Sequence, residues 1–245
     1  LIAGRLLRRP CYMGEEVALP GDAAKVVGIG GNFSKAVWGA VGGISYDEPS
    51  FGQNLGGGTA TYDPASHTLT LRHATLRGKG IAIYGYDDSE DAPAEGLPFT
   101  IRLEGKNTIE TDSESGIQGD NIDLYITGSG SLTYHTQAAE LPTAISSTSI
   151  SITDGCQLEL AGAIEALIGV EFDDADVHIT DGGVSTHGGI WLRECAITLP
   201  ESKRPICTDK PGEWRATICL PDGSPAKEVR IERRKGAGNA PEYEQ

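Results

Sequence analysis

A short motif that returns along the chain constrains its fold more than any other feature. Ile126-Thr-Gly-Ser-Gly-Ser-Leu132, Ile152-Thr-Asp-Gly-Cys-Gln-Leu158 and Ile179-Thr-Asp-Gly-Gly-Val-Ser185 superimpose as an Ile-Thr pair, a Gly-containing turn and a fresh run. Leu103-Glu-Gly-Lys-Asn-Thr-Ile109 is a weaker copy, and Leu71 and Leu199 extend the series at either end. The anchors at 71, 103, 126, 152, 179 and 199 fall about 26 residues apart, within the range of repeat architectures.

Inside each repeat the period is two. Phe99, Ile101 and Leu103 alternate with Thr100 and Arg102, and Ile122, Leu124 and Ile126 alternate with Asp123 and Tyr125. Ile150 and Ile152 flank Ser151, and Val177 and Ile179 flank His178. Period two with β-branched residues predicts strands buried on one face. A short apolar run precedes each of these strands, as in Ile81-Ala-Ile83 and Ala166-Leu-Ile168, and another follows each Gly turn. Three short strands per repeat, stacked on copies of themselves, predict an all-β fold: a single-stranded right-handed parallel β-helix of five to six coils. An antiparallel β-sandwich is the alternative, although it gives no reason for the recurrent Ile-Thr register. The expected organisation is an N-terminal cap with an irregular insertion over 1–60, the β-helix over 61–201, and a C-terminal strand cap and tail over 202–245. Ala36-Val-Trp-Gly-Ala40 is expected to form a short helix plugging one end.

Charge narrows the function classes. Lys and Arg number 20 against 35 Asp and Glu, a net of −15. General binding to nucleic acid or to anionic membrane wants the opposite sign. No apolar run is long enough for a membrane-spanning helix. Of the cysteines, Cys11, Cys156, Cys195, Cys207 and Cys219, no two form a Cys-x-x-Cys pair, which argues against a thiolate zinc site. They read as small buried hydrophobes; a link between Cys207 and Cys219 across a tail loop is left open. The glycines of 28–43 lack the spacing of a phosphate-binding loop.

Gly57-Gly-Thr-Ala-Thr-Tyr-Asp-Pro-Ala-Ser-His-Thr-Leu-Thr-Leu71 resembles the entry motif of secreted bacterial carbohydrate-binding-type parallel β-helix proteins. The Ile-Thr-Gly-x-Gly-x-Leu segments resemble their coil motifs, and Leu220 to Ile231 resembles their terminal strand. The likeness covers roughly residues 57–231. It implies an exported protein, secreted, periplasmic or at the cell surface. It also implies a polysaccharide or glycan as partner, and calcium in some members.

Two sets of residues carry the chemical expectations. Stacking places Tyr125 outward beside Arg102 and Ser151 of adjacent coils, an exposed strip suited to a sugar face; Tyr86 and Trp191 are further glycan-binding candidates. Acidic turns supply the metal candidates Asp87, Asp88, Glu90, Asp91 and Asp120, with Asp173, Asp174 and Asp176 as a second group. Carboxylates about 5 Å apart repel unless a cation joins them, and Ca²⁺ takes about six to eight oxygens. The leading expectation is a non-catalytic, exported glycan-binding or surface-display module, calcium-stabilised. A polysaccharide hydrolase or lyase of pectin type is the alternative: Asp173-Asp174 and His187-Gly188 echo two of its motifs, while Asn-Thr-Asp and Arg-Ile-Lys are absent. A structural or adhesive spacer is the third reading.

Overall fold

The computed structural model describes residues 11–12, 15–16, 35–41, 44–45, 55–78, 80–87, 96–111, 115–137, 142–202, 205–208 and 215–234. Every regular element among them is a β-strand. Most strands join three parallel ladders that the chain visits in turn. In the first, Ile81–Asp87, Ser115–Asp120, Thr143–Ile152, Ala163–Asp173 and Val184–Thr186 lie side by side. In the second, Thr68–Arg72 pairs Leu97–Glu104, which pairs Ile122–Thr127; the later halves of the 143–152 and 163–173 strands follow, then Gly189–Arg193. In the third, Thr75–Gly78, Lys106–Thr111, Ser131–Thr136, Gln157–Leu160 and Asp176–Ile179 are neighbours. The parallel register excludes the antiparallel sandwich.

The ladders explain the alternation in the sequence. In the first, Ile81, Ile117, Ile145, Ile164 and Val184 are successive register partners. All five are buried. The second ladder contributes Phe99, Leu124, Ile150 and Val170, and the third Leu76, Ile109, Tyr134, Leu160 and Ile179. These columns meet in one hydrophobic core. Burial stabilises each such side chain by roughly 1.5–3 kcal/mol. No single repeat could achieve this alone, because each aliphatic face is covered by the strands beside and across from it.

Corners between ladders carry backbone in the left-handed region. His73, Asn121, Asp154, Asp174 and Glu194 all have φ between 48° and 61°. A small or apolar buried residue comes next or one later: Ala74, Ile122, Cys156, Ala175 and Cys195. Asn and Asp tolerate this conformation better than most residues. Their recurrence at turns is therefore a backbone requirement before it is anything else.

Two corners are closed by side chains. Asn107, 1% exposed, stands in an inward column whose other members are Leu132, Leu158 and Val177. Its Oδ1 accepts the Ala74 N–H at 2.9 Å, and its Nδ2 donates towards the carbonyls of Glu104, Gly105 and Ser131. One amide thus links three successive repeats. At the second corner, hydroxyls of the 143–152 strand reach across to Ile122. Ser147 Oγ donates to Ile122 O at 2.7 Å, and Thr148 Oγ1 accepts the Ile122 N–H at 3.2 Å.

Antiparallel strands flank the parallel ladders at both ends, so the sheets are mixed. Lys35–Val41 runs antiparallel to Ile81–Asp87. The helix expected at 36–40 is thus a strand: Val37, Trp38 and Gly39 are weak helix formers, and the 81–87 edge offers an unfilled ladder. Thr59–Asp63 forms an antiparallel pair with Thr68–Arg72. At the other end Val229–Arg233 closes antiparallel over both Asp176–Ile179 and Cys195–Leu199. Ala216–Ile218 likewise closes over Val184–Thr186.

Candidate functional site

The second ladder turns one face to the core and the other to solvent. Register carries one outward row across it: Thr68, Thr100, Tyr125, Ser151, Glu171 and Trp191. Tyr125 is 42% exposed and Trp191 52%. Three strand steps separate them, about 14 Å at the usual inter-strand spacing.

Trp191 is exposed because two glycines make room for it. Its neighbours one alternation back are Gly169 and Gly189, themselves register partners. A Cβ built on either would run into the six-membered ring of the indole. The ring therefore lies across the backbone of two adjacent strands, on a residue that stays half exposed. Large apolar surfaces are normally covered; here the sheet supports one as a platform.

The rungs between the aromatics are polar and tied to each other. Ser151 Oγ donates to Glu171 Oε2 at 3.3 Å, and Arg193 Nε meets Glu171 Oε1 at 2.9 Å. Alongside, Ser149 Oγ donates to Asp123 Oδ1 at 2.6 Å, and the Gly96 N–H reaches the same oxygen. The direct neighbours of Tyr125 are Ser151 on one side and Thr100 on the other. Arg102 stands one alternation further on, opposite Thr127, rather than beside Tyr125. Its Nε lies 3.9 Å from Glu104, whose other oxygen holds Arg72 at 2.6 Å. Tyr86 belongs to the first ladder, opposite Ala36, and so lies outside this row.

The acidic candidates fall on different corners. Register places Tyr84 opposite Asp120. Asp87 is three residues further, about 10 Å along the strand, so the expected 5 Å spacing to Asp120 does not hold. Asp88, Glu90 and Asp91 lie outside the described residues. Asp120 precedes the second-ladder strand of its repeat, whereas Asp173 ends its strand and Asp174 follows it; the two acidic groups lie on different corners. Asp176 is held by Arg233 at 2.7 Å. Among the described residues, no three His, Cys, Asp or Glu side chains come together as a metal-ion site. Asp120 is distinctive for another reason. Its Oδ2 is buried without a hydrogen-bond partner among the described residues, and burial pushes its carboxyl above the usual range.

One residue of each pectinase-like echo has a backbone role. Asp174 is a left-handed corner residue whose carbonyl accepts the Gly155 N–H. Gly188 passes so close to the Ile168 carbonyl that no side chain fits there. A cleft of about 790 Å³ is lined by residues of three neighbouring strands, among them Glu159, His178 and Arg230. Its histidine is engaged on both sides: His178 Nδ1 lies 2.9 Å from Glu159, and His178 Nε2 lies 3.4 Å from Glu228.

No protein-family model, no curated protein and no solved structure matches this chain. The site is therefore judged on its own geometry. That geometry adds Gly169, Gly189, Glu171 and Arg193 to the expected residues. Aligning Gly169-Val-Glu-Phe-Asp173 with Gly189-Ile-Trp-Leu-Arg193 is the signal that would have found them.

Cys156 and Cys195 are buried free thiols. Cys156 Sγ donates to the carbonyls of Gly128 at 3.1 Å and Ile126 at 3.5 Å. Burial and the nearby Asp154 push that thiol up to about 12, which leaves it little thiolate character.

Proposed function

We propose that this chain is a non-catalytic glycan-binding module, exported or displayed at the cell surface, and that its stacked repeats wind as a right-handed parallel β-helix. One observation carries the functional reading: the Trp191 ring laid over Gly169 and Gly189, in the same outward row as Tyr125. A sugar ring offers a flat C–H face and a rim of hydroxyls. An aromatic ring fixed flat on a rigid sheet matches the first at little conformational cost, as rigid aromatic anchors do in other recognition surfaces. Ser151, Glu171 and Arg193 match the second. The net charge of −15 turns the reading away from nucleic acid.

Affinity electrophoresis against soluble polysaccharides tests it. The wild-type chain should be retarded by at least one polymer without fragmenting it. Trp191→Ala should lose most of that retardation at an unchanged melting temperature. A panel that leaves mobility untouched throughout would remove the reading in favour of a spacer.

A further inference from the structure

The row does more than offer two aromatic rings; it spaces them. It has one rung per strand, and its rungs read Tyr125, Ser151, Glu171, Trp191. Each rung advances about 4.8 Å along the stack, close to the advance of one pyranose ring along an extended polysaccharide. A glycan lying along the stack therefore meets one side chain per sugar. The aromatics fall on the first and fourth rungs, so the same sugar face must return after three units. A ribbon that flips at every sugar returns its face after two units and presents the opposite one after three. A chain that turns by one third of a revolution per sugar returns it after three.

Charge limits the glycan further. The only charged rung between the rings is Glu171, and Arg193 occupies one of its oxygens at 2.9 Å. The other oxygen and Ser151 Oγ face each other at 3.3 Å. The Ser151 proton is already given to Glu171, so the pair presents acceptor lone pairs to hydrogen bonds donated by sugar hydroxyls. It offers a uronate carboxylate no uncommitted cation, on a chain that is already strongly acidic.

Resting on the glycan-binding reading, we propose that this row takes a linear, uncharged polysaccharide with a three-fold screw, of the β-1,4-xylan kind, running along the stack from Tyr125 to Trp191. A two-fold ribbon glucan or mannan fits the spacing less well, and a polyuronate fits the charge less well.

Titration calorimetry with xylohexaose, cellohexaose, mannohexaose and hexagalacturonate tests this on the full chain. Xylohexaose should bind about tenfold or more tightly than the others, a difference of about 1.4 kcal/mol. Xylotriose, too short to span both rings, should bind about as weakly as xylohexaose does to Tyr125→Ala or Trp191→Ala. Melting curves confirm that both variants fold. Equal or tighter binding of a two-fold or charged hexamer, still lost in Trp191→Ala, overturns the three-fold assignment and leaves glycan binding standing. Absence of binding to all four hexamers and to the polysaccharide panel overturns both.

Discussion

Asp176 grips Arg233 on two sides at once. Its Oδ2 accepts from Nη2 at 2.7 Å and Nε at 2.9 Å, while its Oδ1 accepts the Arg233 backbone N–H at 2.9 Å. The carboxylate raises the guanidinium above its ordinary range, as an opposite charge must. This fork fastens the closing strand to the last parallel one. Arg233→Ala should cost about 1–2 kcal/mol, since two guanidinium N–H groups converge on one carboxylate oxygen but the pair is partly exposed. Arg233→Lys, which keeps the charge and loses the fork, should recover less than half of it. Calorimetric melting of the two variants decides between fork and charge.

Asn107 should be far less replaceable. Asn107→Ala strips the Ala74 N–H and the carbonyls around it of their partner in a buried corner. Each orphaned group costs roughly 1–3 kcal/mol. Asn107→Leu matches the apolar neighbours of its column and fills space better, yet orphans the same groups. Both variants should melt well below wild type in denaturant titration. A leucine variant as stable as wild type would mean that the amide contributes no more than volume.

Asp120 sets a pH dependence of predictable sign. Burial raises its carboxyl in the folded chain. In strong acid, both folded and unfolded chains hold the proton and nothing is lost. As pH climbs through the ordinary carboxylate range, the unfolded chain releases its proton first, so stability falls until folded Asp120 ionises too. Asp120→Asn should abolish that loss. It should match wild type near about pH 3 and exceed it at about pH 7. Melting temperatures at the two pH values give the comparison directly.

Gly169 supports Trp191 from below. A side chain there must lift the indole off the sheet. Gly169→Val should leave the fold intact, because the residue it displaces is exposed, and should weaken glycan binding about as much as Trp191→Ala. Truncating a central aromatic anchor commonly costs about 2 kcal/mol or more. If Gly169→Val binds as wild type, a flat seat for the ring is not what the glycan needs.

Much of the architecture was legible because strands advertise themselves. Phe99-Thr-Ile-Arg-Leu103 and Ile122-Asp-Leu-Tyr-Ile126 alternate strictly, and the solvent-facing position of Tyr125 follows from that alternation alone. The end strands were less visible. Lys35–Val41 carries no strict alternation, and its strand state depends on the edge it meets. The acidic turns have a backbone reading as well. Asp174 and Glu194 recur because corners require left-handed backbone, and a recurring carboxylate resembles a ligand set. Distances between corners could not be counted from the chain either, since the register slips at Ser147 and Ser149. The support beneath Trp191 was hidden most deeply. Gly169 and Gly189 are meaningful only as neighbours, and neighbours across a sheet are not neighbours in sequence.

The corners also determine where this protein can change length. Ser151 and Glu171 touch across a separation of 20 residues, Ser149 and Asp123 across 26, and Ala74 and Asn107 across 33. In each case the strands still align. Extra residues are absorbed where the chain rounds a corner, and the ladders do not register them. Such a molecule can grow or shed loops beside its aromatic row without rebuilding its core. For a designer, the corners are ports into which a new recognition loop can be spliced; for a lineage, they are the place where specificity can drift while the scaffold stays still.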